Sequence, residues 1–389
     1  MSNRNLTILG LVTVLIAAWA VVQPRISQRP YVSAKTGSYL IQGLDPDQIA
    51  SIIIGSASPQ PKAASSEQVI LTRRGANFVA AGMDNYPASA DEINKLISTC
   101  LDIQTSELYT DNPANHKDLG VTEEDAKIVV KFYKADSSLL AGVIIGKSAG
   151  QGRMGGYVRL VSDNKVYLTT AQIPWIKKRA IDYVKQELTS VKREDINSVT
   201  VSYPDETYLL RPEDDKTIVL DNLPEGKKLK KDMAELVFTA LANLKFEDVN
   251  AESSRGNLKF DRRYICRLKD STVYTFWLAK DANKWLARCD TQFADKTPVT
   301  KTQGEVEPED QLRQKETKLL ARDAAEEFSE KHKGWVYRIP NYSAENMTKP
   351  LAELVEDLKP AEKQKQPADG TAQAEPGEPA DENAPPADE

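Results

Sequence analysis

Apolar residues recur along this chain with two different spacings, and the alternation between them outlines its architecture. In "SADEINKLISTCLDIQ", Ile93, Leu96, Ile97, Cys100 and Leu101 fall at i, i+3, i+4, i+7 and i+8, the single face of an amphipathic helix. Adding 140 to each number gives Met233, Leu236, Val237, Ala240 and Leu241 in "KKDMAELVFTALANL", a second helix of the same pattern. The offset extends upstream, where Val69 and Ile70 match Leu209 and Leu210, and Phe78, Val79 and Ala80 match Ile218, Val219 and Leu220. These short runs read as strands joined by the turns "RRGAN" and "PEDDK". Before them, "IASIIIG" matches "INSVTVS" at an offset of 147; after the helix, "KIVVKFYK", "VIIGK" and "YVRL" match "RYICRLKD", "FWLAK" and "WLAR".

The pattern therefore predicts an α+β protein of two tandem repeats, residues 44–190 and 191–359. Each has the order strand-strand-strand-helix-strand-strand-strand, a six-stranded, mainly antiparallel sheet with one packed helix. Ser89 with Glu92 three residues on predicts a capping box at the first helix, and Tyr86-Pro87 closes the segment before it. Both repeats end in Ile-Pro (Ile173-Pro174, Ile339-Pro340) and a short helical stretch, aligned at an offset of 166. Most of the length gained by the second repeat lies in 305–333, a charge-rich helix read as a cap on the second unit or, alternatively, a partner-binding arm.

The ends of the chain follow different rules. Residues 1–5 form a short tail, and 6–23 an apolar stretch whose core, Leu6 to Val22, holds no charge. As a helix it would span roughly 26 Å, enough for a transmembrane anchor. Trp19 and Pro24 suit its interfacial end, while Ala18-Trp19-Ala20 leaves cleavage after Ala20 as the competing reading. Arg4 on one side and Arg25, Arg29 and Lys35 on the other balance the charge rule. Short N-terminal tails of this design stay inside, which places the bulk on the extracytoplasmic side of a single-pass inner-membrane protein. A linker, 24–43, follows. At the other end, 360–389 carries eight acids, two lysines, six prolines and no large apolar residue, a composition that predicts disorder. The tail's charge of −6 accounts for that of the whole 389-residue chain, so the remainder is neutral and offers no basic field for nucleic acid.

Candidate chemistry is sparse. "GKSAGQGRMGG" combines Gly-Lys-Ser with a Gly-x-Gly-x-x-Gly (Gly150, Gly152, Gly155), but position 141 is Ala where a P-loop needs Gly. Both nucleotide motifs also require a following helix, whereas this stretch joins two strands. It reads as a long hairpin connection, with Lys147 and Arg153 free to meet an acidic partner. Cys100, Cys266 and Cys289 lack metal or redox spacing and read as buried thiols, with one strand separating the last two. His116 and His332, each flanked by lysine, read as solvated loop and helix residues. Glu123-Glu124-Asp125 and Asp214-Asp215 lie in polar stretches, and Tyr274, Phe276, Trp277 and Trp285 read as core. No catalytic, cofactor-binding or metal-ligating residue is assigned, and no cofactor, nucleotide or nucleic-acid partner is expected.

Taken together, "GLDPDQIASIII", "VILTRRGANFVAAGMDNYPASADEINKLIS", "DLGVTEEDAKIVV" and "IIGKSAGQGRMGGYVRL" resemble the bacterial family called domain of unknown function 4340, over about Gly43 to Asp290. The resemblance implies a single N-terminal anchor, a large external part and a genomic setting beside ABC-type transport components of the gliding-motility kind. No active residues are established for that family, so none is carried over. The expected function is that of a non-enzymatic accessory or binding subunit of a membrane complex, of the ABC-transport type. The alternative is a cell-envelope scaffold using its tail; a third reading is an uncharacterised enzyme.

Overall fold

The computed structural model describes residues 37–55, 68–150, 155–214, 217–256, 258–299 and 308–358. The expected anchor at Leu6–Val22, cleavage after Ala20, most of the 24–43 linker, Gly152 and Arg153, and the 360–389 tail lie outside the described residues. Among the described residues, no helix is long and apolar enough to cross a membrane. The protein is a mixed α+β structure of mainly antiparallel sheets with a few helices.

The first sheet is built from β1 (Ser38–Tyr39), β2 (Ser51–Gly55), β3 (Val69–Arg74), β4 (Asn77–Ala80), β5 (Tyr86–Pro87), β6 (Gln104–Thr110), β7 (Ile128–Tyr133), β8 (Leu139–Ser148), β9 (Gly156–Leu160) and β10 (Val166–Thr169). Helix α1 (Ala90–Leu101) precedes β6, and the single turn α2 (His116–Leu119) follows it. Between the sheets, β11 (Glu187–Thr189) links the chain onward. The second sheet contains β12 (Ile196–Ser202), β13 (Thr207–Pro212), β14 (Ile218–Leu220), β17 (Asp248–Ala251), β18 (Arg262–Leu268), β19 (Thr272–Asp281), β20 (Lys284–Phe293) and β21 (Trp335–Ile339). Around it lie β15 (Lys227–Leu229), α3 (Lys231–Phe238), β16 (Leu244–Lys245), α4 (Glu309–His332), α5 (Asn341–Met347), α6 (Leu351–Leu354) and β22 (Val355–Asp357).

Strand order is the same in both sheets. The first runs β4-β3-β2-β7-β8-β9-β10-β6, with β5 beyond β4 and β1 beyond β6; the second runs β14-β13-β12-β18-β19-β20-β21-β17. Eight strands are thus shared where the sequence pattern predicts six. The additional pairs, β10 with β6 and β21 with β17, form one end of each sheet. Only one of the seven β6 residues is buried, so a strand this exposed leaves no alternation to read.

The uniform offset of 140 also resolves into several. Ile52 and Ile54 correspond to Val199 and Val201 at 147, as expected, but the buried Val69 and Leu71 correspond to Tyr208 and Leu210 at 139. Because strand side chains alternate, one residue of error exchanges faces: Ile70, aligned by pattern with the buried Leu210, is exposed. In the helices the offset is 141. Ile93, Leu96, Ile97 and Cys100 are buried in α1, and Ala234, Val237, Phe238 and Leu241 are their counterparts in and just after α3; Leu236 faces solvent.

Both helix starts are tied to the closing segment of their own repeat: the Ser89 amide donates to the Tyr183 carbonyl and the Lys230 amide to the Leu354 carbonyl, each at 2.7 Å. Only half of the expected capping box forms. Ser89 Oγ accepts from the Glu92 amide, whereas the Glu92 carboxylate takes Lys177 Nζ at 2.5 Å. Nor are the Ile-Pro pairs equivalent, since Ile339 ends β21 and Ile173 lies four residues beyond β10. The helical stretch expected after Pro174 is a 3-10 turn, Ala180–Tyr183, followed by β11.

Helix α4 lies along the second sheet as a cap. Phe328 meets the Tyr274 ring edge-on at 5.3 Å, Ser329 Oγ donates to Asp290, and Lys318 Nζ pairs with Asp295 at 2.6 Å. Cys266 on β18 and Cys289 on β20 flank β19, and all three cysteines are free and buried; burial pushes the Cys100 and Cys266 thiols up to about 12. Phe276 and Trp285 are core residues, while Trp277 is half-buried beside the Arg288 guanidinium.

The histidine expectation is overturned, because both side chains are buried. His116 Nε2 donates to the Asn164 carbonyl at 2.9 Å, which gives a polar side chain its partner inside the fold. His332, the last residue of α4, turns onto Tyr337 and Phe328.

Candidate functional site

The glycine connection between β8 and β9 is explained by packing. These strands pair antiparallel, with Ile145 opposite Val158, so no helix follows the glycines. A Cβ on Gly146 would stand 2.5 Å from the Leu119 carbonyl oxygen and 2.8 Å from that of Gly120. Carbonyl oxygens thus occupy the space beside this glycine, the reverse of the amide lining that holds a phosphate. Gly155 has φ +97°, and an added Cβ would lie 2.5 Å from the Thr169 carbonyl oxygen. Gly146→Ala is expected to lower stability by about 2 kcal/mol through overpacking. Gly150→Ala, with nothing within 4 Å, should stay within about 0.5 kcal/mol of the parent. Urea unfolding of the two variants checks this.

What the same region does form is a cleft of about 320 Å³. Its floor is Ile128, Ile145 and the glycine backbone of Gly146 and Gly156, and its wall is the segment Gln172–Ile176. Trp175 on that wall is 82% exposed, while its neighbour Ile176 is buried in the main core. Packing through Ile176 therefore anchors the segment and presents the indole to solvent. Lys127, Lys147 and Lys178 surround the opening. Each spends a hydrogen bond on a neutral oxygen: Lys127 Nζ to Ser148 Oγ at 2.8 Å, Lys147 Nζ to the Asp118 carbonyl at 2.8 Å and Lys178 Nζ to the Lys127 carbonyl at 2.5 Å. Among the described residues, no carboxylate pairs with any of the three. The result is an apolar slot with an exposed aromatic edge and a positive rim. The sequence points to Lys147 here but predicts a helical stretch over Trp175; the signal for the exposed indole is a tryptophan between proline and lysines, in "IPWIKK".

A second feature joins the two sheets. Asp84 and Asn85 adopt left-handed backbone (φ 51° and 65°) and turn the chain so that Asp84 Oδ2 accepts from the Ala251 amide on β17, at 2.9 Å. Tyr86, next in line, packs edge-on against Phe246 (5.7 Å), Trp335 (4.9 Å) and Tyr337 (6.2 Å). The Tyr337 hydroxyl lies 2.6 Å from His332 Nδ1. Burial raises the Tyr86 phenol above the ordinary tyrosine range and the Tyr337 phenol far above it. The Tyr86-Pro87 pair, read in the sequence only as a stop, is thus a docking element between sheets.

Among the described residues, no group of three or more His, Cys, Asp or Glu side chains could hold a metal ion. Two α+β sheets of one strand order, locked by an aromatic junction and carrying an apolar slot, define a sheet-based scaffold. Residues 79–263 match the family described as domain of unknown function (DUF4340), the family that the sequence resembles. The match is narrower than the resemblance from Gly43 to Asp290, and it straddles both sheets, from β4 to β18. It takes in the Trp175 wall and both Tyr86 and Phe246. Neither a curated protein nor a solved structure matches the chain.

Proposed function

We propose that the protein is a non-enzymatic binding subunit, anchored by Leu6–Val22 in the inner membrane with residues 44–190 and 191–359 as two copies of one unit on the extracytoplasmic side. It serves as an accessory to a membrane complex of the ABC-transport type. The observation that supports this reading is the exposed Trp175 on the wall of an apolar cleft. A large aromatic at the surface, with only two side-chain torsions to fix, contributes contact area to a partner, and such residues dominate interface energetics. The surrounding lysines supply orientation and rate rather than most of the affinity.

The test is affinity purification of the full chain from gently solubilised membranes, alongside Trp175→Ala. The parent is expected to recover ABC-type transport subunits, and the variant at least about tenfold less, the loss that about 1.4 kcal/mol at one interface residue produces. A parent chain that runs alone at its monomer mass counts against the proposal. Equal recovery by the variant moves the docking surface away from the cleft.

A further inference from the structure

We infer that the cleft beside Trp175 is occupied, in the free protein, by the chain's own C-terminal tail. The inference rests on the reading of this cleft as a docking surface and goes beyond it by naming the occupant. Three properties of the cleft select the ligand class. Its floor is apolar, its exposed wall is a tryptophan following a proline, and its rim carries three lysines with no carboxylate partner among the described residues. Aromatic-walled slots of this kind take proline-rich segments, whose extended helix is already formed in solution and loses little entropy on docking. The lysines add a preference for acidic residues between the prolines.

Within this chain, one segment has that chemistry. Residues 360–389 carry six prolines and a net charge of −6, and Pro376-Gly-Glu-Pro379 has the spacing that places two prolines on one side of an extended helix. The other end of the chain is excluded by charge, since residues 1–36 hold Arg4, Arg25, Arg29 and Lys35 and no acid. The internal segment 56–67 carries one lysine and one glutamate and gains nothing from a positive rim. Length permits the contact. From Leu358 to Pro385 the chain reaches about 84 Å when extended at about 3.1 Å per residue, whereas a compact body of this size measures roughly 50 Å across. Laying prolines on an existing indole requires no large apolar residue, of which 360–389 holds none.

Zero-length carbodiimide cross-linking of the full chain, read by mass spectrometry, tests the inference. Glu375, Glu378, Asp381 and Glu382 are expected to link to Lys127, Lys147 and Lys178 at least fivefold more often than to exposed lysines elsewhere, such as Lys284. Trp175→Ala, a change at a solvent-facing side chain, should bring this enrichment down to background. A mixture of isotopically light and heavy protein should give links within one chain only. Uniform linking across all lysines, enrichment that survives Trp175→Ala, or links between light and heavy chains would each overturn the inference. Partner recovery is a separate readout: tail links that fail while Trp175→Ala still loses the transport subunits would leave the cleft a docking surface and remove only the tail from it.

Discussion

Replacing Phe246 with alanine is expected to destabilise the fold by about 4 kcal/mol, the largest single effect anticipated for this protein. Phe246, between β16 and β17, is 1% exposed and packs against Tyr337 of the second sheet at 5.0 Å and Tyr86 of the first sheet at 5.7 Å. Removing the ring takes apolar surface out of the core and leaves a cavity that two rigid sheets cannot close over. The part of the loss that belongs to contact between sheets is separable. A double-mutant cycle of Tyr86→Ala and Phe246→Ala, measured by urea unfolding, should return a coupling of about 1 kcal/mol, the scale of an edge-on aromatic pair. Strict additivity would mean that the rings do not meet in solution and that the sheets are joined by other contacts.

The second large effect is expected from acid. His332 is 3% exposed, and burial, with Lys331 adding to it, lowers its pKa from the usual 6.5 to about 4. A histidine whose folded pKa is depressed leaves the native state short of a proton that the unfolded chain binds, so stability rises with pH across this interval. The contribution is complete above about pH 6.5. It is lost as the pH falls toward 4 and levels off below, for a total of about 3 kcal/mol. The mechanism is local: an imidazolium would replace a neutral ring between Phe328 (4.2 Å between centroids) and the Tyr337 hydroxyl. Urea unfolding at pH 7 and pH 5, for the parent and for His332→Gln, isolates the term from the titration of surface carboxylates. The parent should lose about 2 kcal/mol more than the variant between these two values. An equal loss in both would assign the acid sensitivity elsewhere.

Both effects converge on one cluster, and that has a consequence for function. Tyr86, Phe246, Trp335, Tyr337 and His332 hold the first sheet to the second through direct ring contacts, and the Asp84 bond to the β17 amide satisfies an edge donor at the same place. A scaffold assembled this way presents surfaces from both sheets at a fixed separation. Loops on such a scaffold can carry recognition without paying to order themselves first.

The individual elements of this fold were legible in the sequence to different depths. The face of α1, the antiparallel strands, the plain strand-to-strand connection at the glycines and the central positions of β2 and β12 follow from periodicity, because each is a local property of a few consecutive residues. The helix that lengthens the second repeat is visible for the same reason, as an uninterrupted run of good helix formers that α4 occupies. The glycine stretch reads as a chain reversal that needs positive φ, which Gly155 adopts at +97°; the contacts that bar a side chain at 146 and 155, with Leu119, Gly120 and Thr169, come from other parts of the chain.

The failures share a physical origin. A constant offset of 140 counts residues along the chain, whereas register is fixed by hydrogen-bonded partners across the sheet. The partners give 139 in β3 and 141 in α1, enough to exchange the buried and exposed faces of a strand. Flanking lysines predict a solvated His116 and His332, yet neighbours in sequence do not decide burial. Asn164 and Tyr337, 48 and 5 residues away, provide the polar partners that make burial tolerable. Trp175 presented the opposite case, a large aromatic left outside because its anchoring neighbour Ile176 took the core position.

What the amino-acid order determined by itself, then, is the alphabet of elements: two similar sets of strands and helices, three inert thiols and a glycine stretch that joins strands. Which residues face inward at a given register, which edges pair, where the two sheets lock and where an apolar slot stays open were decided only by tertiary structure. Periods of 2 and 3.6 are written in the backbone of each segment, whereas pairing partners and ring contacts are set by distances between residues that the chain keeps far apart.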